Sequence, residues 1–133
     1  MNIRIYYEDT DMGGVVYHTN YIKYCERARS EVFLSHGVSP HHNSGFFVVK
    51  NLSANYIKPA KFGDIINVQT KIKRLKKVSI ELSQTITNNY NVKMFTLETL
   101  LVFVKNSKPI SMPAEFVDIL NTNLEPIVDT ILS

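Results

Sequence analysis

The sequence predicts an α+β fold, one long helix wrapped by a curved five-stranded antiparallel sheet. Three observations predict it. An apolar stripe of helical period covers residues 21–36, runs of alternating apolar and polar residues flank it, and the later runs are joined by hairpin-length connections. With 133 residues the chain is expected to be one domain, 1–133. A chain of that size buries roughly two-thirds of its unfolded surface.

Ile3 and Ile5 alternate with Arg4 and Tyr6 and predict a short first strand. From Tyr21 the period changes. Tyr21, Tyr24, Cys25, Ala28 and Val32 recur at steps of three and four, while Lys23, Glu26, Arg27 and Glu31 fall mostly on other faces. The helix is expected to run to about His36, with Thr19 or Asn20 as N-cap and Gly37 as its stop, a length of roughly 24 Å. Residues 38–45 carry Ser, Pro, His, Asn and Gly and read as a loop.

Four strands follow. Phe47 and Val49 share one phase and Leu52, Ala54 and Tyr56 the other, so a bulge is expected near Lys50–Asn51. Residues 56–64, with Pro59 and Gly63, form a turn region. Ile66, Val68, Thr70 and Ile72 alternate with polar neighbours, as do Val78, Ile80 and Leu82 beyond the Lys76–Lys77 connection. Asn88–Asn89 is the next turn. Residues 92–104 are apolar on both parities, the mark of a strand covered on both faces, and another subunit is a candidate for the second cover. Pro113 opens a short helix using Phe116, Ile119 and Leu120, and Leu124, Ile127, Val128 and Ile131 make a last apolar stripe.

Composition excludes several classes. A hydrophobic fraction of 44% with 20% charged residues is that of an ordinary globular protein. The net charge of +3 suits a phosphate-bearing partner, but without a run of about five like charges it predicts no nucleic-acid partner. No apolar run approaches the ~20 residues of a membrane helix. No signal peptide is read at the N-terminus, and Cys25, as the single cysteine, allows no internal disulfide, so a cytoplasmic protein is expected.

Chemistry concentrates in residues 6–21, YYEDTDMGGVVYHTNY. Three acids, a glycine pair and a histidine stand directly before the helix. Paired glycines permit close backbone approach, and a helix start offers free N–H groups and partial positive charge. One carboxylate facing such donors suits acyl transfer. Asp beside Gly is also a common turn residue, so the residues alone leave Asp9 and Asp11 open between the two roles. His36, His41 and His42 lack an acid or Cys at ligand spacing, and no metal is expected. Cys25 sits on the apolar helix face with no activating neighbour and reads as a core residue.

The pattern Asp9-x-Asp11-x-x-Gly14-x-Val16-Tyr17-His18-x-x-Tyr21, followed by Glu26-Arg27-Ala28-Arg29, resembles the hotdog-fold thioesterases of the 4-hydroxybenzoyl-CoA thioesterase type. Within them it is most similar to the YbgC acyl-CoA thioesterases, associated in bacteria with the Tol-Pal envelope system. Tyr56-x-x-Pro59-Ala60-x-x-x-Asp64 resembles the family's second signature. The resemblance implies a hotdog domain over the whole chain that hydrolyses acyl-CoA, with no cofactor beyond the coenzyme A of substrate and product. It implies edge-to-edge dimers that pair again into homotetramers, with the active site between subunits.

The resemblance carries the catalytic acid to Asp11, as nucleophile or general base. It supports an oxyanion hole at the N–H of His18 and its neighbours, and auxiliary roles for the His18 and Tyr7 side chains. Glu26 is expected to support the site structurally. Gly13, Gly14, Val16, Tyr17, Pro59, Lys58, Arg74 and Lys76 are candidate substrate contacts, the basic ones toward coenzyme A phosphates, with Lys61 and Lys77 nearby. Competing readings are a hotdog dehydratase or hydratase, and a non-catalytic module binding acyl thioesters or acyl carrier protein. Acyl carrier protein and phospholipid-synthesis enzymes are candidate partners in lipid metabolism. Apolar residues of strand 92–104 and of the helix suit either a fatty-acyl tunnel or plain core.

Overall fold

The helical stripe becomes α1, His18–Leu34, which buries Tyr21, Tyr24, Cys25, Ala28 and Phe33. Phe33 takes the buried place expected of Val32, which is half-buried. The structure is a computed structural model that describes residues 1–41 and 43–127. Beyond Leu34 the chain closes a Schellman motif. Gly37 at φ +70° donates its N–H to the Leu34 carbonyl at 3.0 Å, and the Val38 N–H reaches the Phe33 carbonyl at 3.2 Å. Gly37 is therefore the stop the sequence predicts.

The start of α1 differs from expectation. Neither Thr19 nor Asn20 caps it: Tyr17 holds the cap position in an extended conformation, and no side chain bonds the first turn. Asn20 turns its amide outward and donates to the Asp9 carbonyl. Asn20 lies inside the first turn of the helix, so it cannot be the residue that caps it.

The sheet contains β1 (Asn2–Arg4), β2 (Phe46–Tyr56), β3 (Ile65–Leu75), β4 (Ser79–Asn88) and β5 (Lys93–Lys105), in the order β1-β3-β4-β5-β2, all antiparallel. The register of β2 shifts between Val49 and Asn51, where the change of parity places a bulge. Asn88 builds the β4–β5 turn by accepting the Tyr90 and Val92 N–H groups on its side-chain oxygen. Two strands of two residues each, too short for alternation to reveal, extend the sheet to seven. β6 (Lys108–Pro109) pairs with β5, and β7 (Glu125–Pro126) runs parallel to β3.

Helix α1 lies across the sheet's inner face. Toward its start, Tyr21, Tyr24 and Cys25 pack with Ile5, Ile66, Val68, Ile86, Phe95 and Leu97. Toward its end, Phe33 packs with Ile80, Leu82, Leu101, Phe103 and with Phe116, Ile119 and Leu120 of α2 (Ala114–Asn123). Of the last apolar stripe, Leu124 is buried and Ile127 exposed, while Val128 and Ile131 fall outside the described residues, as does His42.

The outer parity of β5 is less apolar than its sequence suggests. Met94, Val102 and Val104 are buried, but Val104 pairs with Pro109 of the same chain and Glu98 meets Lys73 at 2.9 Å. An exposed apolar row lies instead on β2, an edge strand on which Phe46, Val48, Val49, Leu52 and Tyr56 are exposed.

One polar side chain ties helix to sheet. Gln84 of β4, fully buried, accepts from Arg29 Nη1 at 3.0 Å and donates to the Cys25 carbonyl at 2.9 Å and to Thr70 Oγ1 at 3.0 Å. Replacing Gln84 by Leu removes all three bonds and leaves the half-buried guanidinium without its acceptor. The expected loss of stability is about 3 kcal/mol, read as a lower urea midpoint at unchanged slope. An unmoved midpoint would show that Gln84 is not a brace.

Candidate active site

The site is built around the bare start of α1. The first N–H groups of a helix have no partner within it. Here the Asn20 N–H turns back to the Tyr17 carbonyl at 2.9 Å, while those of His18 and Thr19 meet no acceptor among the described residues. They are left as donors at the positive end of the helix dipole. The helix start is held from its sides instead. The Tyr56 hydroxyl donates to the His18 carbonyl at 2.7 Å, and the Ala60 N–H donates to the Tyr21 hydroxyl at 2.9 Å.

The preceding loop folds back on itself. Thr10 bridges to Val16, the Asp11 N–H donates to the Val15 carbonyl at 2.9 Å, and the Gly14 N–H to the Asp11 carbonyl at 3.0 Å. Gly14 is at φ +77°, which a side chain would strain. The Gly13 N–H donates to Asp11 Oδ1 at 2.8 Å, and a Cβ on Gly13 would lie 3.2 Å from that oxygen. Asp11 is thus a turn residue and an exposed carboxylate at once. Oδ1 is held, and Oδ2 has no hydrogen bond among the described residues. Burial is the main cause raising the pKa of the Tyr21 hydroxyl, and the charges of Asp64 and Asp11 add to it.

Asp9 is spent on structure. Its carboxylate accepts the Tyr6 N–H at 2.8 Å, and its carbonyl accepts the Tyr17 N–H and Asn20 Nδ2, each at 3.0 Å. The Tyr24 hydroxyl lies buried beside the Asp9 carboxylate, whose charge adds to burial in raising its pKa. Burial is the main cause raising the pKa of Tyr21, Tyr24 and Tyr56, so all three hydroxyls are neutral at pH 7.

Two hollows flank this start. A cleft of about 250 Å³ is lined by Val16, His18, Tyr21, Tyr56, Lys58 and Pro59, among others. Further along α1, a cavity of about 340 Å³ opens between the helix, β2 and the inner face of the sheet, with Ile22, Phe33, Phe47, Leu52, Leu97 and Leu101 in its walls. Ile22 lies one turn beyond His18, so the cavity begins roughly 6 Å along the helix from the free donors.

The model of the thioesterase superfamily matches residues 13–94, most of this core and part of the loop before it. The chain belongs to the thioesterase superfamily. It is 43% identical over 131 residues to an acyl-CoA thioesterase YbgC of Helicobacter pylori (strain ATCC 700392 / 26695), covering 91% of this chain and 98% of that protein. It is 37% identical over 120 residues to an acyl-CoA thioester hydrolase YbgC of Escherichia coli O157:H7, covering 86% and 90%. A hypothetical protein of Aquifex aeolicus, known from a crystal structure, shares 27% identity at a TM-score of 0.83, covering 91% of this chain and 98% of that one. The likeness to YbgC read from the Asp-Gly-His segment is upheld, as is the hotdog fold.

Within this thioesterase chain the expected site residues divide. His18, Val16, Pro59 and Lys58 share the small cleft, and Tyr17 sets its half-exposed ring at a tilt against His18, with centroids 4.6 Å apart. Gly13 and Gly14 shape the Asp11 turn. Tyr7 stands exposed with its ring against Phe62, and its hydroxyl has no bond to Asp11 or His18 among the described residues. Arg74 and Lys76 are not brought to the site of their own chain. β3 leaves the Pro59–Asp64 end at Ile65 and carries Arg74 to its opposite end, roughly 30 Å away. There Arg74 meets Glu81 at 3.6 Å. Glu26 is exposed on the cavity wall. Sequence reading gave Tyr56 and Asn20 no bond to the site, although both lie in or beside the quoted motifs.

Cys25 is fully buried, and burial pushes its thiol up to about 12. The native protein at pH 8 is therefore expected to show no thiol reactive toward a disulfide reagent, and one after denaturation. The sign of the linkage follows: the folded thiol keeps its proton where the unfolded one has lost it, so Cys25 contributes stability below about pH 9 that is lost as pH rises toward 12. Rapid labelling of the native protein would refute the buried placement.

Proposed function

We propose that the chain hydrolyses acyl-CoA thioesters to free acid and coenzyme A at the start of α1. The uncapped helix start carries this reading. The thioester oxygen is received by the His18 and Thr19 N–H groups, donors that need no reorganisation as charge develops on that oxygen. Asp11 acts through Oδ2, because Oδ1 is occupied by the Gly13 N–H. As a base it takes a proton from water, and the resulting hydroxide attacks the carbonyl carbon. As a nucleophile it adds to that carbon, and water then hydrolyses the mixed anhydride. In both routes the carbon–sulfur bond breaks and the thiolate of coenzyme A leaves as a stable anion. Gly13 and Gly14 keep the loop thin where the thioester passes.

The substrate reading is a fatty acyl-CoA. The apolar cavity beginning one turn beyond His18 supports it, with room for an aliphatic chain between α1 and β2. Lys58, exposed at the cleft beside Pro59, suits a coenzyme A phosphate. Arg74 and Lys76 serve that purpose only from a second copy. Acyl carrier protein and phospholipid-synthesis enzymes are proposed partners, in the cytoplasm. The exposed apolar edge of β2 supports pairing of two copies into a continuous sheet, with the homotetramer as a pair of such dimers.

Two measurements test this. Thiol release from acyl-CoAs of graded chain length should fall at least ~100-fold in Asp11→Asn, with the fold retained. Full activity would remove Asp11 from the mechanism, and no release from any acyl-CoA in the wild type would favour a binding module. Lysines at both Val48 and Val49 should lower the mass seen by light scattering toward that of one chain. An unchanged mass would place the interface elsewhere.

A further inference from the structure

Both parts of the proposed chemistry hang from one carbonyl. The Asp9 oxygen accepts the Tyr17 N–H and Asn20 Nδ2, each at 3.0 Å. Asp9 lies two residues before Asp11, Tyr17 directly precedes His18, and Asn20 follows it by two. The clamp therefore sits at a short covalent distance from the carboxylate on one side and from the free N–H on the other.

Other bonds hold the loop on the near side of that clamp: the Asp11 N–H to the Val15 carbonyl at 2.9 Å and the Thr10–Val16 bridge tie Asp11 to the segment before Tyr17, and the Asn20 amide ties that segment to the helix. Tyr6 N–H to Asp9 Oδ2, Thr10 Oγ1 to the Tyr7 carbonyl and Gly13 N–H to Asp11 Oδ1 are internal to the loop. The Val16 N–H bonds the Ala60 carbonyl, beyond the turn that carries Asp11. The buried Tyr24 hydroxyl also faces the Asp9 carboxylate, which adds to burial in raising its pKa, but not the carbonyl of the clamp. Asn20 donates the side-chain hydrogen bond from α1 to a backbone carbonyl of residues 6–17. It is half-buried, so the bond is shielded from water in part.

We propose that Asn20 is a positioning residue for thioester hydrolysis, setting the separation of the Asp11 carboxylate from the His18 N–H through the Asp9 carbonyl. The inference rests on the assignment of Asp11 and deepens it. In the tetrahedral intermediate the attacking oxygen and the oxyanion are on one carbon, so carboxylate and donor must keep a set spacing. A misplacement of about 1 Å can cost on the order of 100-fold in rate. Asn20→Leu keeps much of the shape and removes the donor. Asn20→Asp replaces the donor with an oxygen that the Asp9 carbonyl repels. Asn20→Gln keeps an amide donor on a longer arm.

The experiment measures kcat, KM and thermal stability with one acyl-CoA for Asn20→Leu, Asn20→Asp, Asn20→Gln, Asp11→Asn and the Asn20→Leu/Asp11→Asn double variant. In Asn20→Leu and Asn20→Asp, kcat should fall about 10- to 100-fold with KM within about threefold of wild type, and Asn20→Gln should recover part of the loss. In the Asp11→Asn background, adding Asn20→Leu should cost less than about threefold, because no carboxylate remains to be placed. Should Asn20→Leu fail to fold, the isosteric Asn20→Asp is compared in its place, alone and with Asp11→Asn. Wild-type kcat in the folded Asn20 variants beside an inactive Asp11→Asn overturns the positioning role alone. Equal losses in both backgrounds, or a KM rise at constant kcat, also overturn it. A fully active Asp11→Asn removes the Asp11 assignment and this inference with it.

Discussion

An α-helix that begins without a side-chain cap is the constraint on which the rest of this structure depends. A cap residue typically contributes about 1 kcal/mol, and α1 forgoes it. What the helix loses in local stability the site gains as two unspent N–H donors, His18 and Thr19, at the positive end of the dipole. The remaining groups at that end are bonded laterally, to Tyr56, Ala60 and Asp9. Stabilising the helix from its flanks leaves its axis open to a ligand.

The loop before the helix follows the same economy. The two carboxylates nearest the donors are each held by the loop itself: the Asp9 carboxylate takes the Tyr6 N–H, and Asp11 Oδ1 takes the Gly13 N–H. The glycine pair is then a requirement of geometry. A Cβ at Gly13 would crowd the held oxygen, and Gly14 needs its positive φ to close the turn. The turn role of Asp11 and the chemical role proposed for it are compatible because a carboxylate has two oxygens.

The helix is long because it must do two jobs along its length. Its first turns carry the donors and pack on one apolar cluster, and its last turns pack with α2 on another. Between the clusters the contact is partly polar, through Gln84 and Arg29, and partly open, as the cavity beside β2. That opening lies along the face of an edge strand that exposes Phe46, Val48, Val49 and Leu52.

Much of this was legible in the residues. Periodicity located α1 and the five principal strands, Gly37 its end, and the parity change at Lys50–Asn51 the bulge, because these features follow from side-chain period and local backbone energy. The Asp-Gly-His segment pointed to the proposed site, since loop and helix start are neighbours in the chain. What sequence could not supply were contacts between distant segments. Tyr56 reaching the His18 carbonyl, Asn20 bonding Asp9 instead of capping, the removal of Arg74 and Lys76 to the far end of β3, and the two short strands β6 and β7 all depend on how the sheet brings remote segments together. Local pattern records which face of an element is apolar, and only the packed structure decides which polar atom on one element meets its complement on another.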